Sequence, residues 1–258
     1  MELPKEVSEV KHEGIPMDLV LIVFGAPKVG KTTFASEFPD SVLLECEPGG
    51  AKYVRCKKMD INSLQEFREA YMLLKNDTSF KTVTIDSLDK VASWLEAEIC
   101  KEMGLSNIMD AKKGERHGSQ WGEYKERVLA FVLGLQKLGK NIVLLAHTKN
   151  AETDGNGSVI NPRTINLYGQ TASQVMAAVE NIGYMFAREV EGGVVKRYIS
   201  FKGGETVIGG SRHPALRDKV LELPLGGGYK EFEKQFLPPQ PAQEKPKVET
   251  KTKTGGKK

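Results

Sequence analysis

Residues Gly25-Ala26-Pro27-Lys28-Val29-Gly30-Lys31-Thr32-Thr33 spell G-x-x-x-x-G-K-[ST], the phosphate-binding P-loop, and no other stretch of the chain restricts its fold so tightly. The motif carries meaning only between a strand and a helix. Ahead of it, Asp18-Leu19-Val20-Leu21-Ile22-Val23-Phe24 is an apolar, β-branched run with the length of a buried strand. Behind it, Thr32 to Phe38 makes a first helical turn that stops at Pro39. In that setting the loop's backbone N–H groups curl around a β-phosphate. Gly25, Ala26, Pro27, Lys28, Val29, Gly30, Lys31, Thr32 and Thr33 are therefore the candidate nucleotide-binding residues. Lys31 adds charge to the β- and γ-phosphate oxygens, and Thr32 offers a hydroxyl to Mg²⁺. ATP and Mg²⁺ are the expected ligands.

The 258 residues suit one α/β domain with appendages, and a hydrophobic content of 40% is enough for a sizeable core. No apolar run approaches the ~20 residues of a membrane span, and the charged N-terminus has no signal-peptide core. A cytoplasmic protein without membrane association is expected. Cys46, Cys56 and Cys100 are odd in number and widely spaced, and His12, His117, His147 and His213 are scattered, so neither a disulfide framework nor a metal cluster is expected. The formal charge of +3 is uneven. Six lysines and two glutamates lie between Glu244 and Lys258, so the body of the chain is close to neutral and the positive balance sits in the tail.

Strands and helices alternate through the first half. Ser41 to Glu47 reads as a strand ending at the turn Pro48-Gly49-Gly50. Ser63-Leu64-Gln65-Glu66 is a capping box that opens a helix to about Leu74. Lys81 to Asp86 is a third strand, followed by a helix from Leu88 to Met103. A Gly/Lys/Ser-rich loop over 104–120 precedes a helix from Trp121 to Leu138, and Asn141 to Ala146 is a fourth strand. Residues 148–168 form a long polar loop, a length that is usually functional or disordered. A short helix near Ala172 to Val179 and three shorter strands, Ile182–Phe186, Val194–Phe201 and Val220–Leu223, complete the core, with a hairpin turn at Gly192-Gly193. The expected fold is α/β: a mostly parallel central sheet, helices on both faces, and late antiparallel strands. Residues 1–16 are a loose lead, 17–236 the nucleotide-binding domain, and 237–258 a disordered basic Pro/Lys-rich tail.

Ligands of open parallel sheets bind at the carboxyl ends of the strands. Glu47, Asp86 and His147 each sit at or just past such an end. Asp86 has the placement of a Walker B aspartate, holding Mg²⁺ opposite Thr32; it also fits a helix cap beside Ser87. The residue after it is Ser87, not a glutamate, so a water-activating base must come from elsewhere. Glu47 is the candidate, with Glu45 two residues back on the same face; both also fit an ordinary solvated strand-end pair. His147 either touches the γ-phosphate and reports nucleotide state to the following loop, or satisfies a backbone group. Lys31, Glu47 and His147 are thus the candidate catalytic residues, and Thr32 and Asp86 the metal-holding pair.

Lys149 and Arg163 are candidate phosphate contacts for nucleic acid. Trp121 and Tyr124, near Lys112, Lys113 and Arg116, could stack bases, although core packing is the commoner use of such residues. Lys196, Arg197 and Lys202 on the late hairpin are a third candidate for an edge that binds a nucleic-acid strand, and Arg212 and Arg217 are candidate arginine fingers for a neighbouring subunit.

The spacing of Gly25–Thr33, Leu43-Leu44-Glu45-Cys46-Glu47, Thr84-Ile85-Asp86-Ser87 and Leu144-Leu145-Ala146-His147 resembles the RecA-type core. Together with Gln120-Trp121-Gly122-Glu123-Tyr124 and Leu145-Ala146-His147-Thr148, it is similar to the phage-encoded AAA-type ATP-binding proteins related to the Sak single-strand annealing group. The resemblance covers about residues 17–225. It implies a RecA-like P-loop NTPase in which Glu47 activates water. His147 stands where RecA carries a γ-phosphate-sensing glutamine, and residues after it stand where RecA contacts DNA. By this resemblance the chain is an ATPase of phage DNA recombination or replication in the host cytoplasm. Its implied partners are single-stranded DNA, a phage single-strand-binding or annealing protein, and further copies of itself. The alternative is a nucleotide-gated binding module with little turnover. A small-molecule kinase is disfavoured because loop 148–168 carries only Lys149 and Arg163, not an arginine-rich lid.

Overall fold

The apolar run before the P-loop forms β1 (Val20–Gly25), buried along its whole length. The computed structural model describes residues 14–110, 119–154, 156 and 158–237. Residues 1–13 of the expected lead over 1–16, residues 238–258 of the expected tail over 237–258, and Lys112, Lys113 and Arg116 lie outside the described residues. After β1 come α1 (Lys31–Ser36), β2 (Ser41–Glu45), β3 (Lys58–Asp60), α2 (Leu64–Asn76), β4 (Thr82–Asp86) and α3 (Leu88–Met103). Then follow α4 (Ser119–Gln136), β5 (Asn141–Lys149), β6 (Glu152–Thr153), β7 (Val159–Asn161), β8 (Thr164–Ile165) and α5 (Gly169–Ala178). The chain closes with β9 (Asn181–Val190), β10 (Val194–Ser200), β11 (Gly210–Ser211), β12 (Val220–Glu222), α6 (Gly228–Glu233) and a 3-10 turn at Lys234–Phe236.

The main sheet runs β12-β10-β9-β1-β5-β4-β2-β3. Strands β9, β1, β5, β4, β2 and β3 are parallel. Counting only the five long ones in chain order gives 5-1-4-3-2, the RecA-like P-loop architecture. One expectation needs correction: the segment from Ile182 is not antiparallel to the core but is its fifth parallel strand, with Leu21 opposite Asn181 and Gly25 opposite Met185. The antiparallel addition begins only at β10, which pairs back on β9 through the turn where Gly192 and Gly193 take φ of 85° and 75°.

Side chains alternate across the sheet, so one sequence supplies two cores. Val20, Ile22, Phe24, Ile142, Leu144 and Ala146 pack beneath α2–α5. Leu19, Leu21, Val23, Val143 and Leu145 pack beneath α1 and α6. Helix α6 is absent from the sequence reading because Gly226-Gly227-Gly228 looks like loop. Its Phe232, with Phe236 beyond it, forms an aromatic cluster with Phe34 and Phe38 of the P-loop helix region, ring centroids 5.2–5.9 Å apart. The expected loop 148–168 is also partly ordered. β5 runs on to Lys149, β8 pairs back against it at Thr148 and Lys149, and β6 pairs with β7. These strands are two or three residues long, too short for periodicity to reveal. The capping box at Ser63 forms with a shift: Ser63 Oγ accepts from Glu66 N, while Glu66 reaches Asn62 N instead of Ser63 N.

Candidate functional site

The P-loop leaves β1 at Gly25, where only glycine fits: a Cβ there would lie 2.3 Å from the Met185 carbonyl oxygen of neighbouring β9. Lys28 has φ of 64° and Gly30 of 108°, so the loop alternates in hand before entering α1. Such alternation points successive amides into a concavity suited to anions. Lys31 is buried and donates from Nζ to the carbonyls of Gly25 (2.9 Å) and Ala26 (3.1 Å). Burial pulls its pKa down, against the charges of Asp86, Asp89 and Glu47.

Strand order brings the other groups to this edge. β5 lies between β1 and β4, so His147 is in register with Gly25, and Asp86 with Leu145. Thr32 Oγ1 donates to Asp86 Oδ2 at 2.7 Å. The N-cap position of α3 belongs to Ser87, not Asp86. Burial raises the Asp86 pKa, the Thr32 bond opposes that, and nearby Glu47 adds to the rise. The backbone N–H groups of Cys46 and Glu47 both donate to Asp86 O, at 2.7 and 3.2 Å, which fastens the end of β2 beside Asp86.

Glu45 and Glu47 then separate in role. Glu45 is buried, accepts from Ala51 N at 2.7 Å and pairs with Lys58 of β3, so it anchors the turn after β2. Glu47 is half-buried and accepts from Ser87 Oγ. Ser87 Oγ is also 3.0 Å from Asp89 Oδ2. Asp89 Oδ1 accepts from His147 N at 2.8 Å, and its Oδ2 bonds His147 Nδ1 at 2.6 Å. His147 Nδ1 lies 3.7 Å from Glu47 Oε1. Glu47, Ser87, Asp89 and His147 thus form one continuous chain of polar contacts. Asp89 was missed in the sequence. Its signal was position: three residues past Asp86, in the first turn of the following helix.

The charges of three carboxylates (Glu47, Asp86 and Asp89) act on Lys31, and hard oxygen donors of this kind suit Mg²⁺. The Thr32–Asp86 pair fits the ion the motif implies. Contrary to the expectation from scattered histidines, His147 also joins a group, with Glu47 and Asp89, whose donor atoms lie within 4.8 Å of one another. The hydrogen bonds among them already account for that convergence.

The bond to Asp89 raises the His147 pKa above its usual value; burial and Lys31 oppose this, and the charges of Asp89 and Glu47 add to it. Burial pushes Asp89 upward, but its bonds from His147 and Ser87 outweigh that and hold its carboxyl low. A raised histidine stabilises the fold fully below its free value and loses that contribution as pH climbs through its folded pKa. A lowered aspartate loses its contribution as pH falls through its folded pKa. The melting temperature of wild type should therefore exceed that of His147→Ala most between about pH 4 and 6.5 and by less at higher pH. A margin that stays constant up to pH 9 contradicts the ion pair.

Beyond Glu47 and Asp89 opens a cavity of about 540 Å³, also lined by Glu96, Tyr124, Lys149 and Tyr168. Tyr124 is 2% exposed and Trp121 packs against the core, each edge-on to Tyr168 at 5.5 and 5.2 Å. Lys149 pairs with Glu152, while Arg163 is exposed. The basic stretch on β10 splits: Lys196 pairs with Glu222, whereas Arg197 leans over the P-loop, its Cδ 3.4 Å from where a Gly30 Cβ would lie. Arg212 donates to Ala177 O, and Arg217 to Arg212 O. Both follow β11, which pairs with the first residues of β9. They therefore lie at the opposite end of the sheet from the P-loop and do not reach this chain's own phosphate site.

Residues 17–213 match the AAA domain family AAA_24. The chain belongs to that family. This AAA domain is similar in structure to a KaiC-like protein from Pyrococcus horikoshii, at 16% identity and a TM-score of 0.47, over 86% of this chain and 97% of that one. It is likewise similar to the flagellar accessory protein FlaH from Methanocaldococcus jannaschii, at 10% identity and a TM-score of 0.42, over 81% and 86% of the two chains. No curated protein sequence matches this chain. Among its described residues no helix is long and apolar enough to cross a membrane.

Proposed function

We propose that this AAA domain hydrolyses Mg-ATP and couples that reaction to binding single-stranded DNA in phage recombination or replication. One observation carries the reading: the P-loop, the Thr32–Asp86 pair and the Glu47–Ser87–Asp89–His147 chain meet at one sheet edge, where the segment after β5 begins. Mg²⁺, held by Thr32 and Asp86, neutralises phosphate charge when bound. The loop amides and Lys31 cradle and polarise the phosphates. Glu47 accepts a proton from water, and Ser87 orients its carboxylate. His147 places a second polar group beside the same edge, and β5 continues from it through Thr148 to Lys149.

The DNA reading rests on the face beyond Glu47. Tyr168 supplies aromatic surface, backed by the core-packed Trp121 and Tyr124, and Lys149 and Lys125 line the adjoining cavities. Aromatic surface with cations is the requirement of single-strand binding. Tyr168 is 37% exposed and is the member able to stack. Single-stranded DNA should raise ATP turnover and tighten ATP binding, with DNA affinity falling steeply as salt rises. ATP hydrolysis measured with and without DNA at two salt concentrations decides. Turnover and nucleotide affinity both indifferent to DNA, with no gel shift, would remove the DNA coupling. The Ser87 bond already engaging Glu47 favours one further reading, a nucleotide-gated module that turns over slowly and partners an annealing protein. That reading requires ATP binding with no DNA-stimulated phosphate release.

A further inference from the structure

We infer that Asp89 is a positioning residue that clamps His147 against the γ-phosphate end of the site and so makes the domain distinguish ATP from ADP. The inference rests on the ATP reading of the P-loop. A histidine at a strand end has two side-chain torsions free. Here one carboxylate takes up both of its local donors: Asp89 Oδ1 holds the backbone N–H at 2.8 Å and Oδ2 holds Nδ1 at 2.6 Å. An ionised carboxylate only accepts, so Nδ1 carries the proton in that bond, and the tautomer is set along with the ring's orientation. The low pKa of Asp89 supports the ionised state. Asp89 is in turn fixed by Ser87 at 3.0 Å and by its place in the first turn of α3, directly after the Asp86 strand.

The clamp sits where phosphate state is felt. His147 is in register with Gly25, the first P-loop residue, and its Nδ1 is 3.7 Å from Glu47. The groups that face it are Asp89 from α3, Glu47 from the end of β2 and Lys31 from α1. Its carbonyl accepts from Asn166 N at 3.0 Å, so the segment leaving the site and the segment returning to it are both tied to this residue. Removing the clamp should leave the α- and β-phosphate contacts of the P-loop intact and weaken only what depends on the third phosphate.

Asp89→Asn is the test variant. Asparagine keeps a carbonyl oxygen for the His147 N–H but offers Nδ1 a donor where the carboxylate accepts, so the fold is retained while the tautomer is not. Calorimetric titration with Mg²⁺ plus either a non-hydrolysable ATP analogue or ADP gives the readout without relying on turnover. The variant should bind the ATP analogue about tenfold more weakly, as loss of an orienting partner does, and ADP within about twofold of wild type. His147→Ala should reproduce the selective loss, and adding Asp89→Asn to it should change either affinity by less than about twofold. Equal weakening of both nucleotides, no weakening of the ATP analogue, or an undiminished Asp89 effect without the imidazole overturns the clamp. Should Asp89→Asn not fold, His147→Ala alone must show the ATP-selective loss or the inference fails. A wild-type protein that binds neither nucleotide overturns the ATP reading and the clamp together.

Discussion

Lys31→Ala should abolish measurable ATP turnover, with kcat/KM falling about a thousandfold or more. The ammonium is buried at the base of the loop, between the carbonyls of Gly25 and Ala26 and the charges of Asp86, Asp89 and Glu47. Without it, a polyphosphate entering the loop faces three carboxylates with no ammonium at the base of the loop to offset them. The same substitution should not lower the melting temperature. Burial depresses the Lys31 pKa, so the charged side chain is held at a desolvation cost that alanine removes. Phosphate release and thermal melts on one preparation separate the two effects. Turnover within tenfold of wild type, in a variant that melts normally, would mean the P-loop lysine is not the phosphate clamp.

Glu47→Gln should lower kcat about a hundredfold to ten-thousandfold, the range for loss of a general base. ATP affinity should change by no more than about threefold, because the carboxylate acts on water and not on the bound nucleotide. Glutamine still accepts from Ser87, so the neighbouring geometry survives. Glu45→Gln is the control that the structure makes possible. Glu45 holds Ala51 N and pairs with Lys58, so its loss should lower the melting temperature and affect turnover only through stability. Single-turnover kinetics on both variants distinguishes them. An unchanged rate in Glu47→Gln would assign the base elsewhere, and an equal collapse in both variants would make the acidic pair structural.

The P-loop, the strands on either side of it and the ends at Glu47, Asp86 and His147 were legible because each is encoded within a few neighbouring residues. A glycine pattern follows an apolar run, and a polar residue closes a β-branched segment. The alternating order of elements was enough to predict a parallel sheet with helices on both faces. Short strands such as β3 and β6–β8 carry too few residues for a period to register, and α6 was hidden behind three glycines.

What stayed illegible depends on which strand lies beside which. Sequence places Asp89 in the first turn of a helix and His147 at the end of a strand 58 residues later, and nothing local links them. They meet because β5 inserts between β1 and β4, which sets His147 next to the start of α3. The same pairing of strands sends Glu45 to Lys58 and leaves Glu47 bonded to Ser87, a split of roles that the shared face of the two glutamates in the sequence does not show. It also makes β9 a parallel neighbour of β1, so its Met185 carbonyl is what forbids a side chain at Gly25, and β10 then carries Arg197 over Gly30. The sequence by itself determined that this chain builds a phosphate loop at the end of a parallel sheet, because backbone geometry there is dictated by adjacent residues. Only the tertiary structure decided which acids and which histidine share that edge, because contacts between distant segments follow from strand order, which no short-range pattern encodes.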